Sequence, residues 1–155
     1  MLQFKYSSVD LVFLEKLARF IALGLKKGDS ISLVGDLGVG KTTFVRFLVH
    51  ALAPCEDVGS PTFSIINEYH SNKFTIYHID LYRINSLREV YDLGIESICD
   101  DGVGIIEWPD LLNDILDFNL KINIKYSTKE NLRDVEVFIK DDDKCGIFES
   151  FVSSN

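Results

Sequence analysis

Apolar residues recur along the chain with two different periods, and the switches between them mark out the elements. Leu11, Leu14, Ala18, Ile21 and Leu25 step by three and four, which predicts a helix. Ser7-x-x-Asp10 resembles a capping box in front of it, and Gly28 is expected to close it. Residues 31–34 are a short apolar run that suits a buried strand, and residues 43–52 put Phe44, Phe47, Leu48 and Ala51 on one face of a second helix. A loop rich in breakers, 53–61, leads to a strand expected over 62–69. His70-Ser71-Asn72-Lys73 suits a hairpin turn into residues 74–80, so these two strands should pair antiparallel.

Ser86-x-x-Glu89 is a second capping-box pattern, with Gly94 placed to end its short helix. Asp100-Asp101-Gly102 then turns the chain into a buried strand over 103–107. Leu111, Leu112, Ile115 and Leu116 form another short helical face. Beyond it Leu120, Ile122, Ile124 and Tyr126 alternate with Lys121, Asn123 and Lys125, and Val135, Val137 and Ile139 repeat that alternation. Period two with one polar face predicts an antiparallel hairpin at the sheet edge. Asp141-Asp142-Asp143 is expected to be a solvated turn, and Ile147, Phe148, Phe151 and Val152 a helical turn that docks.

Between the first buried strand and the second helix lies Gly35-Asp36-Leu37-Gly38-Val39-Gly40-Lys41-Thr42, followed by Thr43. This is a full match to the G-x-x-x-x-G-K-[ST] loop in the required strand–loop–helix order. Glycines let the backbone curl so that successive N–H groups face phosphate oxygens, and the helix adds its positive N-terminal end. Residues 35–43 are therefore read as a nucleotide-binding loop, with Lys41 neutralising the β- and γ-phosphates and Thr42 a ligand of Mg²⁺.

Hydrolysis also requires carboxylates to complete the metal shell and orient water. No Asp-Glu pair ends a strand here; instead two strands end in single acids, Asp80 and Glu107. Strand ends converge on the phosphate-loop side of an open α/β sheet, so both can face the metal. Asp80 is assigned to Mg²⁺, directly or through water, and Glu107 to the attacking water, with the exchanged roles, or simple capping acids, left open. Thr62, in Gly59-Ser60-Pro61-Thr62-Phe63, meets the γ-phosphate side if this is a switch segment and is otherwise part of a plain turn. Trp108, the sole tryptophan, either walls the site against water or is core. His78 is read as a structural, hydrogen-bonded histidine, and Arg83 as a phosphate contact or the partner of an acid. Asn72-Lys73 is followed by Phe74-Thr75 rather than a guanine-reading Asp, which favours ATP over GTP.

Length and composition narrow the class further. With 155 residues and 46% apolar content the chain suits one domain over 1–155, the tail 145–155 contributing nothing diagnostic. A net charge of −8 argues against a broad basic surface for nucleic acid, so any role in RNA chemistry should run through a partner. Cys55, Cys99 and Cys145 are too scattered for a zinc or redox pair and are expected to be reduced thiols. The first eight residues lack the basic start and apolar run of an export signal, and the stretch 11–25 is interrupted by Glu15, Lys16 and Arg19. The expectation is a cytoplasmic protein that does not cross a membrane.

Four motifs in order carry a resemblance: Gly-Asp-Leu-Gly-x-Gly-Lys-Thr-Thr at 35–43, Ser60-Pro61-Thr62-Phe63, His78-x-Asp80-x-Tyr82-Arg83, and Ile106-Glu107-Trp108-Pro109. Together the set resembles the bacterial TsaE (YjeE) family. That likeness implies a P-loop NTPase fold, with helices on both faces of a mainly parallel central sheet extended by antiparallel strands. It implies an ATPase serving the formation of threonylcarbamoyladenosine beside the anticodon of tRNAs that read codons beginning with A. It also implies ATP and Mg²⁺ as cofactors and the TsaB and TsaD proteins as partners, with tRNA reached only through their complex. By the same likeness Lys41 and Thr42 hold phosphates and metal, Asp80 and Glu107 complete the metal and hydrolysis site, and Thr62 and Trp108 belong to it. Val39 stands where the family often has Ala, a change expected to be harmless because such loop positions contribute backbone. Two other readings use the same phosphate loop: a nucleotide-gated binding module with negligible hydrolysis, and a small-molecule kinase, which would need an arginine-bearing lid.

Overall fold

The computed structural model describes residues 2–140, 148, 150 and 151. The chain runs β1 (Leu2–Val9), α1 (Leu11–Leu23), β2 (Ser30–Val34), α2 (Lys41–Leu52), β3 (Ile66–His70), β4 (Thr75–Asp80), α3 (Leu87–Leu93) and α4 (Ile95–Asp101). It continues through β5 (Val103–Glu107), a 3₁₀ turn (Pro109–Leu112), β6 (Leu120–Tyr126) and β7 (Arg133–Ile139). All strands join one seven-stranded sheet in the order β1-β7-β6-β2-β5-β4-β3. The centre, β6-β2-β5-β4, is parallel, and antiparallel strands extend it on both sides.

The two faces are covered differently. On one, α1 and α2 bury Leu14, Leu17, Phe44 and Leu48 against Ile31, Leu33, Ile105 and Ile122, and Phe148 and Phe151 close the outer end against Phe4 and Phe20. On the other, α3, α4 and the 3₁₀ turn bury Val90, Ile95, Cys99 and Leu112 against Ile79 and Ile106. Each fully buried side chain of this size contributes about 1.5–3 kcal/mol. Burial also pushes the Cys99 thiol up to about 11, so it behaves as a packed apolar group, whereas Cys55 is exposed.

Several local expectations are corrected. Ser7 does not open a helix: it belongs to β1, which pairs with β7, and the N-cap is Asp10, whose carboxylate accepts from Phe13 N at 2.8 Å. Gly24, not Gly28, ends α1, and Gly28 (φ 91°) sits in the next turn, donating its N–H to Gly102 O. The β6–β7 hairpin is not at the edge, because β1 lies outside it. Strand β3 begins at Ile66 rather than Thr62, since residues 61–65 form a turn closed by Ile65 N donating to Pro61 O at 2.6 Å. The second capping box is as expected: Ser86 and Glu89 cap each other's backbone and Gly94 ends α3. Helix α4 follows at once and had no separate signal. The triad at 141–143, Cys145, Ile147 and Val152 lie outside the described residues.

Gly104 shows how tightly β5 and α4 meet, because a Cβ there would overlap Cys99 Sγ and crowd Ile106 Cδ1. Gly104→Ala is expected to lower stability by about 1–3 kcal/mol. Urea unfolding checks this, with the midpoint falling at unchanged slope.

Candidate active site

The parallel register puts the functional groups side by side. Leu33 of β2 is level with Glu107 of β5, and Glu107 with Asp80 of β4, so both carboxylates leave the sheet on the α2 face at neighbouring strand ends. The chain leaving β2 forms the phosphate loop and enters α2 at Lys41. Gly38 (φ 76°) and Gly40 (φ 117°) take the left-handed conformations that the curled backbone requires. Leu37, Gly38, Gly40, Lys41, Thr42, Thr43, Ser60, Thr62, Asp80, Tyr82, Glu107 and Trp108 line one open cleft of about 260 Å³.

Lys41 is 4% exposed, and its Nζ donates to Gly35 O at 2.7 Å and Asp36 O at 3.1 Å. The ammonium also lies 4.2 Å from the centroid of the Trp108 ring. Burial lowers its pKa, while the Glu107, Asp80 and Asp36 carboxylates act in the opposite direction. The ammonium thus bonds its own loop and an aromatic face, groups that phosphate oxygens would replace.

Glu107 is 3% exposed, and its Oε1 accepts from Thr42 Oγ1 at 2.9 Å and pairs with His78 Nε2 at 2.8 Å. A carboxylate only accepts, so the imidazole hydrogen sits on Nε2. His78 Nδ1 is buried with no hydrogen-bond partner among the described residues. The sequence reading of His78 as structural holds in kind, but its partner is the site's own carboxylate. Asp80 is engaged on both oxygens: Oδ2 accepts from Thr62 Oγ1 at 3.1 Å and Oδ1 from Tyr82 N at 2.9 Å. Ser60 Oγ lies 2.7 Å from Thr62 Oγ1. Ile65, held at φ 67°, accepts the Asp80 N–H through its carbonyl at 2.9 Å. A β-branched residue there is strained, a cost that the surrounding bonds must offset, and the hydrogen bond from Asp80 fastens the Thr62 segment to β4.

Of the residues nominated from the sequence, Leu37, Gly38, Gly40, Lys41, Thr42, Thr43, Thr62, Asp80, Glu107 and Trp108 line this cleft, whereas Gly35, Asp36 and Val39 do not. Trp108 itself takes φ 56° and lies over the cleft with its ring 5.0 Å from that of Tyr82. Two readings change. Arg83 has no ion pair with an acid among the described residues and does not line the cleft, but stacks its guanidinium 4.3 Å from the Phe63 ring centroid. Val39 contributes more than backbone: its side chain is 1% exposed and belongs to the core beneath the loop. Tyr82 and Ser60, not nominated, line the cleft as well.

A metal cage made of protein alone has no basis here, as no group of three His, Cys, Asp or Glu among the described residues is arranged to hold an ion. A hydroxyl and one or two carboxylates beside a phosphate loop are instead the donor set that Mg²⁺ takes when phosphates complete its shell. No helix among the described residues is long and apolar enough to cross a membrane.

Comparison with known proteins agrees with this fold. Residues 10–135 match the family described as threonylcarbamoyl adenosine biosynthesis protein TsaE. A tRNA threonylcarbamoyladenosine biosynthesis protein TsaE from Rickettsia felis is 41% identical over 103 residues, covering 66% of this chain and 60% of that protein. The chain thus spans about three fifths of the length of that relative. The Bacillus subtilis protein of the same name is 38% identical over 117 residues, 75% of this chain and 73% of its own. The crystal structure of Bacillus subtilis YdiB superposes with a TM-score of 0.75 at 28% identity, covering 99% of this chain and 96% of that one. With phosphate loop, paired strand-end carboxylates and sheet order in place, the chain belongs to the TsaE family of P-loop nucleotide-binding proteins.

Proposed function

We propose that this protein is a Mg²⁺-dependent ATPase that supports formation of N6-threonylcarbamoyladenosine in tRNA by acting on a complex of the TsaB and TsaD proteins. The observation that carries the reading is the convergence of Lys41, Thr42, Thr62, Asp80 and Glu107 on one cleft. Loop residues 35–43 bind the phosphates through backbone N–H groups, and Lys41 exchanges its loop carbonyls for phosphate oxygens. Thr42 and Glu107 would hold Mg²⁺ together with the phosphates; a hydroxyl that ligates a cation through a lone pair keeps its hydrogen, for which Glu107 Oε1 is the acceptor. Bound there, the ion would neutralise charge on the β- and γ-phosphate oxygens. Asp80 and Thr62 face the γ-phosphate end, where their mutual bond supports the reading that they orient the attacking water. Trp108 and Tyr82 shield that end from bulk solvent.

The arginines favour water over an acceptor substrate. Of the five arginines, Arg19 pairs with Glu15, Arg46 donates to Val58 O, Arg83 stacks on Phe63, Arg133 donates to Val39 O, and Arg88, on α3, does not line the cleft. A kinase lid would need such groups over the phosphates. The −8 charge likewise supports contact with tRNA only through partners.

The test is titration with ATP and GTP in the presence and absence of Mg²⁺, joined to gel filtration with TsaB and TsaD. ATP-selective, Mg²⁺-enhanced binding and co-elution that depends on the nucleotide are expected. Tight GTP binding, or co-elution indifferent to nucleotide, contradicts the reading. Trp108 gives an internal signal: Lys41 leaves its ring when phosphates bind, so the intrinsic fluorescence of the only tryptophan should change on adding ATP and stay constant in Lys41→Met.

A further inference from the structure

The side of the phosphate loop away from Glu107 and Asp80 is tied to the β6–β7 hairpin. Tyr126, at the end of β6, donates its hydroxyl to Leu37 O at 3.3 Å, and Arg133, at the start of β7, donates Nε–H to Val39 O at 2.7 Å. The two residues are register partners across the hairpin, with the guanidinium stacked 4.6 Å from the centroid of the Tyr126 ring. Arg133 is further fixed by Nη1 donating to Leu132 O at 2.9 Å. On β6, the carbonyl of Ile124 lies so near Gly35 that a Cβ there would overlap it.

The consequence follows from peptide geometry. A trans peptide unit is planar, so its C=O and N–H point in opposite directions. Holding the Leu37 carbonyl toward the hairpin turns the Gly38 N–H the other way, and holding the Val39 carbonyl does the same for the Gly40 N–H. Gly38 and Gly40 both line the cleft. Left to itself, a loop with three glycines would visit many other shapes and would have to be ordered by the ligand. A loop fixed beforehand spares binding that loss.

We infer that Arg133 and Tyr126 are positioning residues that hold the phosphate loop in its binding shape, and that the part of the ligand they serve is the polyphosphate rather than the base. The inference rests on the nucleotide-binding reading of residues 35–43. It separates these two residues from Glu107 and Asp80, because they favour ground-state and transition-state phosphates equally.

The experiment measures binding of ATP and of inorganic triphosphate, each with Mg²⁺, to the full chain, Arg133→Met, Arg133→Lys and Tyr126→Phe. Loss of a hydrogen bond from a charged donor should raise Kd roughly tenfold in Arg133→Met, and loss of the neutral one roughly threefold in Tyr126→Phe. The factor should be the same for both ligands, with Arg133→Lys between wild type and Arg133→Met. Turnover at saturating ATP should stay near wild type, the split expected of uniform binding. Amide resonances of Gly38 and Gly40 should shift in the ligand-free variants. Weaker ATP binding with unchanged triphosphate binding overturns the inference in favour of a contact to base or ribose, and unchanged binding of both overturns it outright. Should Arg133→Met fail to fold, Tyr126→Phe, which removes one oxygen, carries the same test. Failure of the wild-type chain to bind either ligand would instead defeat the nucleotide-binding reading itself.

Discussion

Lys41→Ala is expected to weaken binding of Mg²⁺-ATP by roughly 100-fold or more and to abolish turnover, while the folded chain melts at or above the wild-type temperature. The first half follows from its place in the cleft, where it is the one cation among the described residues that lines the phosphate site. Charge-assisted bonds to phosphate in a partly desolvated site are worth about 1.5–3 kcal/mol each, and Lys41 offers more than one. The second half follows from its cost to the ligand-free fold. Burial holds its pKa below the ordinary value of 10.5, which means that folding disfavours the ammonium. The sign is that of a depressed base: the penalty is present at neutral pH, shrinks as pH rises through the folded pKa, and vanishes above 10.5. Alanine removes it. Sites that bind often trade stability for function in this way. Calorimetry beside nucleotide titration checks both halves, and a large fall in Tm would show that Lys41 is mainly structural.

Glu107→Gln is expected to reduce kcat by about 10²–10³-fold and to raise the Mg²⁺ concentration needed for activity, with little change in nucleotide affinity measured in EDTA. Glutamine fills the same space beside Thr42 and His78 and keeps one acceptor oxygen. It lacks the charge that would balance a divalent cation. Unchanged kcat with unchanged Mg²⁺ dependence removes Glu107 from the mechanism. A loss of kcat with no change in Mg²⁺ dependence assigns it to the water and Asp80 to the metal.

Most of this site was legible in the sequence because its parts are local. A phosphate loop is contiguous in the chain, and Asp80 and Glu107 each announce themselves as an acid closing an apolar strand. What alternation along one strand cannot reveal is lateral order. Nothing in residues 103–107 says that β5 lies between β2 and β4, the fact that makes Glu107 a neighbour of both Thr42 and Asp80. The hairpin clamp was hidden for the same reason, since Arg133 and Val39 are 94 positions apart. Strand β1 carries a competing local signal. Ser7-x-x-Asp10 imitates a helix cap, and the weaker alternation of Phe4 and Tyr6 with Lys5 and Ser7 was decided by pairing with β7. The loop position of Val39 predicts a backbone-only role, yet the curl that turns the loop toward phosphate points this side chain into the core.

The geometry also bears on how activity would be regulated. Among the described residues, one buried lysine and no arginine line the phosphate site; under the proposed function such a constellation would hydrolyse ATP slowly until a partner completes it. The most direct measurement is therefore steady-state phosphate release from ATP by the pure chain, alone and with TsaB and TsaD. The account predicts slow release alone, stimulation of about 10-fold or more by the partners, and loss of the stimulated rate in Lys41→Ala. Tight Mg²⁺-ATP binding with no stimulation, or stimulation that survives Lys41→Ala, would contradict it.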